Sequence, residues 1–213
     1  MAHNHQRNET MRTEKQKMLA GDLYNPANDP ELQSDYLRCQ QRTHAFNHSD
    51  PADREGRRAI LKELFGSIGE NVIVTPPIQC DYGVNTFIGD DVLINFNCVI
   101  LDCTTVRIGN NVLLAPNVQL YTAYHPTDPA IRRQHLECAA PITIGDNVWV
   151  GGGAIICPGV SIGSNTTIGA GSVVVNDIPA NVVAVGNPCR VIRVLDVPDE
   201  QSPAQAQQER SVE

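Results

Sequence analysis

Tyr121 to Pro129 reads Y-T-A-Y-H-P-T-D-P, a polar stretch that presents one imidazole, His125. An imidazole changes charge near neutral pH, so a histidine offered from such a loop suits removal of a proton from a hydroxyl. Other residues fit chemistry of the same kind. G-G-G at 151–153 lets a ligand approach backbone N–H groups, the natural donors for a developing oxyanion. Asn95, in N-F-N-C, carries an amide able to orient a hydroxyl or polarise a carbonyl. Arg190 and Arg193, in N-P-C-R-V-I-R, form a local basic spot suited to phosphates in an otherwise acidic chain.

These residues need a scaffold, and the surrounding sequence describes one. From Ile144 every sixth residue is Ile or Val: Ile144, Val150, Ile156, Ile162, Ile168, Val174. Four places after each comes a small or branched residue: Val148, Ala154, Val160, Thr166, Ser172, Ile178. The same beat runs earlier through Ile88, Ile94 and Ile100, slips by two residues, and resumes at Ile108, Leu114 and Leu120. A six-residue unit is a short strand and a turn with one large aliphatic pointing inward. Three units make a coil, and stacked coils pair their backbones at strand spacing, ~4.8 Å. The periodicity predicts a parallel β-helix, with aliphatic columns inside and glycines at the tight corners. The beat stops between Leu120 and Ile144, which places His125 on a protrusion from a regular scaffold, where chemistry usually sits.

Ahead of the repeats the spacing is helical. Thr13 and Gln16 fit a capping box that opens a short helix ended by Gly21. Asp29-Pro30 caps a second helix running to about His48, and Asp50-Pro51 repeats the device for a third, reaching Gly66. The chain thus divides into a polar tail (1–12), a helical segment (13–66), a β-helix (67–195) with a protruding loop at 121–141, and a second tail (196–213). Both tails are polar enough to be disordered. The helical segment has too few apolar positions to stand alone and is expected to pack on the β-helix.

Composition narrows the classes. A net charge of −8 argues against nucleic acid and anionic membrane as partners. No apolar run approaches the ~20 residues of a spanning helix, and the first residues lack the apolar centre of a secretion signal. The 7 cysteines (39, 80, 98, 103, 138, 157 and 189) contain no C-x-x-C pair and read as reduced thiols of a cytoplasmic protein.

Several motifs together resemble the maltose and galactoside O-acetyltransferases among the hexapeptide-repeat acyltransferases. They are E-K-Q-K-M-L-A-G-D-L-Y, F-N-H-S at 46–49, C-D-Y-G-V-N at 80–85, N-F-N-C-V-I-L-D at 95–102, I-G-N-N-V-L-L-A-P-N-V at 108–118, H-P-T-D-P, P-I-T-I-G-D-N-V-W-V-G-G and V-G-N-P-C-R-V-I-R. The resemblance covers about residues 13 to 195. It implies a left-handed β-helix and transfer of an acetyl group from acetyl-CoA to a sugar hydroxyl, with a maltose- or glucose-like acceptor favoured and no metal required. It also implies a homotrimer with active sites between neighbouring prisms.

The resemblance assigns roles residue by residue. His125 matches the general base, and Asn95 lies between donor and acceptor. Gly152 is placed near the thioester. Ala170, Val175 and Asn176 fall along the pantetheine groove, where Asn176 departs from a common lysine. Arg190 and Arg193 match nucleotide contacts, and Trp149, the single tryptophan, could wall the cofactor cleft. Asp81 and Cys103 align with acceptor contacts, Cys103 in place of a carboxylate. The N-terminal helices, residues 50–66 included, are expected to shape the acceptor mouth, and His135 to be solvated.

Other readings keep the fold and change the chemistry. The same transferase could act on a xenobiotic or a lipo-oligosaccharide. A zinc lyase of the γ-carbonic-anhydrase kind needs three histidines, and the β-helix portion holds only His125 and His135. A catalytically silent scaffold would tolerate loss of His125.

Overall fold

The computed structural model describes residues 12–196; the outer parts of both expected tails lie outside the described residues. Three helices come first. Helix α1 (Glu14–Ala20) has the full capping box of Thr13 and Gln16 and ends at Gly21 in the left-handed region. Helix α2 (Pro30–Asn47) is capped by Asp29, whose carboxylate accepts from the N–H groups of Glu31 and Leu32. Helix α3 (Arg54–Leu64) starts later than Asp50-Pro51 suggests. Asp50 instead accepts from the Ala52 N–H at 2.8 Å in a tight turn, and Asp53 caps the helix through the Gly56 N–H at 2.9 Å. Both aspartates are competent caps, and the turn uses the first.

The rest is a parallel β-solenoid with three flat faces. Face I stacks Ser67–Ile68, Thr86–Ile88, Val106–Ile108, Ile142–Ile144 and Ser161–Ile162. Face II stacks Ile73–Val74, Leu93–Ile94, Leu113–Leu114, Trp149–Val150, Thr167–Ile168 and Val182–Val185, closed by the antiparallel strand Arg190–Val194. Face III stacks Ile78–Cys80, Cys98–Leu101, Gln119–Tyr121, Ile155–Ile156 and Val173–Val174. The register aligns the sixth-residue aliphatics in columns, for example Ile88, Ile108, Ile144 and Ile162 on face I. All are buried, and complete burial of each such side chain is worth about 1.5–3 kcal/mol.

The corners bear out the expectation about glycine only in part: Gly153, Gly159 and Gly171 hold left-handed turns. At most turns the left-handed residue is an asparagine or aspartate three places after the inward aliphatic, such as Asp91, Asn97, Asn111, Asn117, Asn147 and Asn165. Their short polar side chains tolerate that backbone, and several bond to each other between coils, as in Asn147 to Asn165 at 2.9 Å. Most glycines that follow the aliphatics serve close approach instead. A Cβ on Gly151 would lie 2.5 Å from the backbone nitrogen of Ala170 in the next coil.

The helices dock on the first coils. Asn47 receives the Ile78 N–H and donates to the Ile78 carbonyl, both at 2.9 Å, and Gln40 donates to the Cys80 carbonyl. Among the described residues no helix is long and apolar enough to cross a membrane.

Candidate active site

The edge between faces III and I differs from the other two. Here the chain takes longer paths from Cys80 to Ile88 and from Ile100 to Ile108, and the long protrusion leaves the next coil at this same edge. The extra residues are held by Asp102, which is fully buried. Its carboxylate accepts from the N–H groups of Tyr82 (2.9 Å) and Gly83 (3.0 Å) and from the Thr86 hydroxyl (3.0 Å). Burial raises its carboxyl from 3.8 to about 6, against the pull of those three donors.

A cavity of about 360 Å³ opens at this edge, lined by Pro26, Ala27, Leu32, Gln33, Tyr36, Asp81, Tyr82, Cys103 and Glu137. It brings together the two expected acceptor residues, Asp81 and Cys103. The Cys103 thiol donates to Asp81 Oδ2 across 3.6 Å. Burial pushes the Asp81 carboxyl up, with the thiol bond acting the other way, and keeps Cys103 in its neutral form. Of the helical segment, α2 and the turn at Pro26–Asn28 form the wall. Helix α3, expected at the mouth, lines a separate groove with Val72, Ile73 and Val74.

The protrusion is ordered by its own bonds. Ala123–Tyr124 pairs antiparallel with Cys138–Ala139, and Asp128 caps a short turn of helix, Pro129–Arg132. Arg132 donates to the carbonyls of Pro126 and Thr127 at 3.1 and 3.2 Å, next to His125. His125 is exposed, and its Nδ1 lies 3.5 Å from the Leu136 carbonyl. A carbonyl only accepts, so the tautomer with its proton on Nδ1 suits this contact and would leave the Nε2 lone pair for a substrate. His135 is exposed, as expected.

Glu137 was not visible as a site residue. Nothing in L-E-C marks it; its place depends on Tyr24, far away in sequence. The Tyr24 hydroxyl donates to Glu137 Oε2 at 2.9 Å, and the two residues exchange both backbone hydrogen bonds, 3.1 and 3.0 Å.

A second set of expected site residues lies on the edge between faces II and III. Asn95, Gly152 and Ala170 lie along it, Gly152 and Ala170 in successive coils and Asn95 two coils before Gly152. Asn95 uses its Oδ1 to accept the Phe96 N–H at 2.9 Å, and its NH₂ has no hydrogen-bond partner among the described residues. The Gly152 carbonyl accepts from Gly171 and the Pro116 carbonyl from Gly153, both at 2.9 Å. Among the described residues the N–H groups of Gly152 and Ala170 have no intrachain acceptor. Trp149 points outward from face II beside Leu113 and Thr167. Val175 and Asn176 fall on the His125 edge instead, and Arg190 and Arg193 on the strand that closes face II.

The expected site is therefore divided within one chain. The pocket, His125, Val175 and Asn176 occupy one edge; Asn95, Gly152 and Ala170 occupy another, with face III between them. Among the described residues no three His, Cys, Asp or Glu side chains converge as metal ligands.

Comparison with known proteins agrees with this architecture. Residues 17–69 match the maltose acetyltransferase hexapeptide capping motif. Residues 86–121 match the hexapeptide repeat of succinyl-transferase, and residues 141–176 the bacterial transferase hexapeptide. A maltose O-acetyltransferase from Clostridium difficile 630 is 50% identical with a TM-score of 0.86, over 87% of this chain and 99% of that one. A galactoside acetyltransferase in complex with coenzyme A is 42% identical with a TM-score of 0.84, over 90% and 96%. Nodulation protein L of Rhizobium meliloti (strain 1021) is 48% identical over 84% of this chain and 98% of its own. With its capping helices, its repeats and its protruding histidine loop, the chain belongs to the maltose and galactoside O-acetyltransferase family of hexapeptide-repeat acyltransferases.

Proposed function

We propose that this protein transfers the acetyl group of acetyl-CoA to a hydroxyl of a sugar, with a maltose- or glucose-like acceptor, and that His125 is the general base. The observation that carries this reading is the position of His125. Its loop rises from the same edge as the acceptor-sized cavity, and the carbonyl partner of its Nδ1, Leu136, is the neighbour of cavity-lining Glu137.

In this scheme Nε2 takes the hydroxyl proton as the acceptor oxygen attacks the thioester carbonyl. The tetrahedral intermediate collapses with cleavage of the C–S bond, and the imidazolium returns its proton to the departing thiolate of CoA. The oxyanion needs donors. The unpaired N–H of Gly152 and the Asn95 amide are suited to it, and both lie on the opposite edge. Acetyl-CoA would run past Trp149, Ala170, Val175 and Asn176, with Arg190 and Arg193 toward its phosphates.

A homotrimer reconciles the two halves, since the His125 edge of one copy can then face the Asn95 edge of the next. Face II supplies an apolar surface for the contact. Ile73 (61% exposed), Leu113 (45%) and Trp149 (53%) form an outward ladder on a flat sheet, a surface that favours cover.

The test is thiol release from acetyl-CoA with maltose, glucose, galactosides, chito-oligosaccharides and amines, with mass analysis of the product. Sugar-dependent release with an O-acetyl product is expected. Release with amines alone, or with none of the panel, contradicts the reading. Stoichiometric, tightly bound zinc in the pure protein would favour the lyase alternative.

A further inference from the structure

The cavity at the His125 edge contains a carboxylate whose placement is unusually well controlled. Glu137 lies in an otherwise exposed loop, yet three hydrogen bonds tie it to one residue. Tyr24 gives and takes a backbone bond with it, and its hydroxyl donates to Oε2. Tyr24 itself is only 1% exposed, packed in a small cluster with Met18, Leu32, Tyr82, Cys103 and Ala139. The cluster is shared by α1, α2 and the coil edge, so its position is set by most of the helical segment.

Two consequences follow. Anchoring Oε2 fixes the direction of the carboxylate, and Oε1 has no hydrogen-bond partner among the described residues while Glu137 lines the cavity. Glu137 also follows Leu136, whose carbonyl meets His125, so the same bridge holds the base and this carboxylate in a constant relation. Asp81 presents the second carboxylate of the cavity, occupied on one oxygen by the Cys103 thiol. The lining holds no lysine or arginine to compete for either group.

We propose that Glu137 is an acceptor-specificity residue, taking a hydrogen bond from a hydroxyl of the acceptor through Oε1, and that Tyr24 is the positioning residue that aims it. This rests on the transferase reading above. The ligand class is a polyhydroxylated acceptor, because carboxyl oxygens accept hydrogen bonds and the hydroxyls of the ligand supply the donors.

The test is steady-state kinetics on wild type, Tyr24→Phe, Glu137→Gln and the double variant, varying acceptor and acetyl-CoA separately. Tyr24→Phe keeps the ring and both backbone bonds and deletes only the hydroxyl. Each single change should raise the acceptor KM about tenfold, the size of one charge-assisted hydrogen bond, and leave the acetyl-CoA KM unchanged. The double variant should be no worse than Glu137→Gln, because the two residues act through one contact. An unchanged acceptor KM in Glu137→Gln overturns the proposal. So does an equal loss of acetyl-CoA affinity in Tyr24→Phe, or a double variant in which the two losses multiply. If Tyr24→Phe does not fold, Glu137→Gln alone decides. Wild-type activity with an unaffected Glu137→Gln removes this inference only; a wild type silent with every acceptor removes the transferase reading itself.

Discussion

The Thr86 hydroxyl donates to the buried carboxylate of Asp102 at 3.0 Å, where the coil leaves its six-residue rhythm. With the N–H groups of Tyr82 and Gly83 on its other oxygen, Asp102 replaces the strand pairing that the longer turn gives up.

Asp102 should make stability depend on pH in a recognisable way. Its folded carboxyl is raised from 3.8 to about 6, so the folded state holds the proton more tightly. Its contribution is therefore most favourable below 3.8, declines as pH rises to about 6, and is level above that. Asp102→Asn keeps an acceptor for both N–H groups and has no charge to bury. Relative to wild type it should gain up to about 3 kcal/mol across that interval. Asp102→Ala strands two buried N–H groups and should lie about 3 kcal/mol below Asp102→Asn at any pH. Thermal melts of the three proteins across the interval provide the check, and parallel curves for wild type and Asp102→Asn would refute it.

The glycines should divide by mechanism. Gly151→Ala forces a Cβ to 2.5 Å from the Ala170 nitrogen and should cost about 3 kcal/mol. Gly153 sits at φ 70° with nothing within 4 Å of an added Cβ, so alanine there meets only backbone strain, about 1–2 kcal/mol. Gly153→Asn should cost less than Gly153→Ala, because asparagine fills the same corner at Asn97 and Asn117. Denaturant unfolding of the three variants gives the ranking directly.

Face II tests the assembly. Leu113 points outward at 45% exposure, so Leu113→Glu leaves the inner columns intact. The expected result is a folded monomer by light scattering, with thiol release lost along with the partner's edge. A variant with the mass and activity of wild type would show that the ladder is not the contact of the proposed trimer.

How much of this was legible follows from the range of each interaction. The aliphatic columns, the Thr13 capping box and the Asp29 cap are local, and the residues themselves announce them. Asp50 and Asp53 carry the same local signal, which is why the start of α3 was displaced. Gly153, Gly159 and Gly171 hold corners as the spacing predicts, while the close approach at Gly151 is a contact between residues far apart in sequence and has no local signal. The beat locates the inward residues but does not by itself group Asn95, Gly152 and Ala170 on one edge and His125, Val175 and Asn176 on another. Glu137 has no local signal at all, since its partner Tyr24 is 113 residues away.

The central claim is that His125 abstracts the acceptor's proton. The measurement is thiol release from acetyl-CoA by wild type and by a folded His125→Ala variant, with the best acceptor of the panel at saturation. A fall in kcat of about 10²–10⁴, with acetyl-CoA binding retained, is the predicted result. A variant that turns over at the wild-type rate would contradict the account.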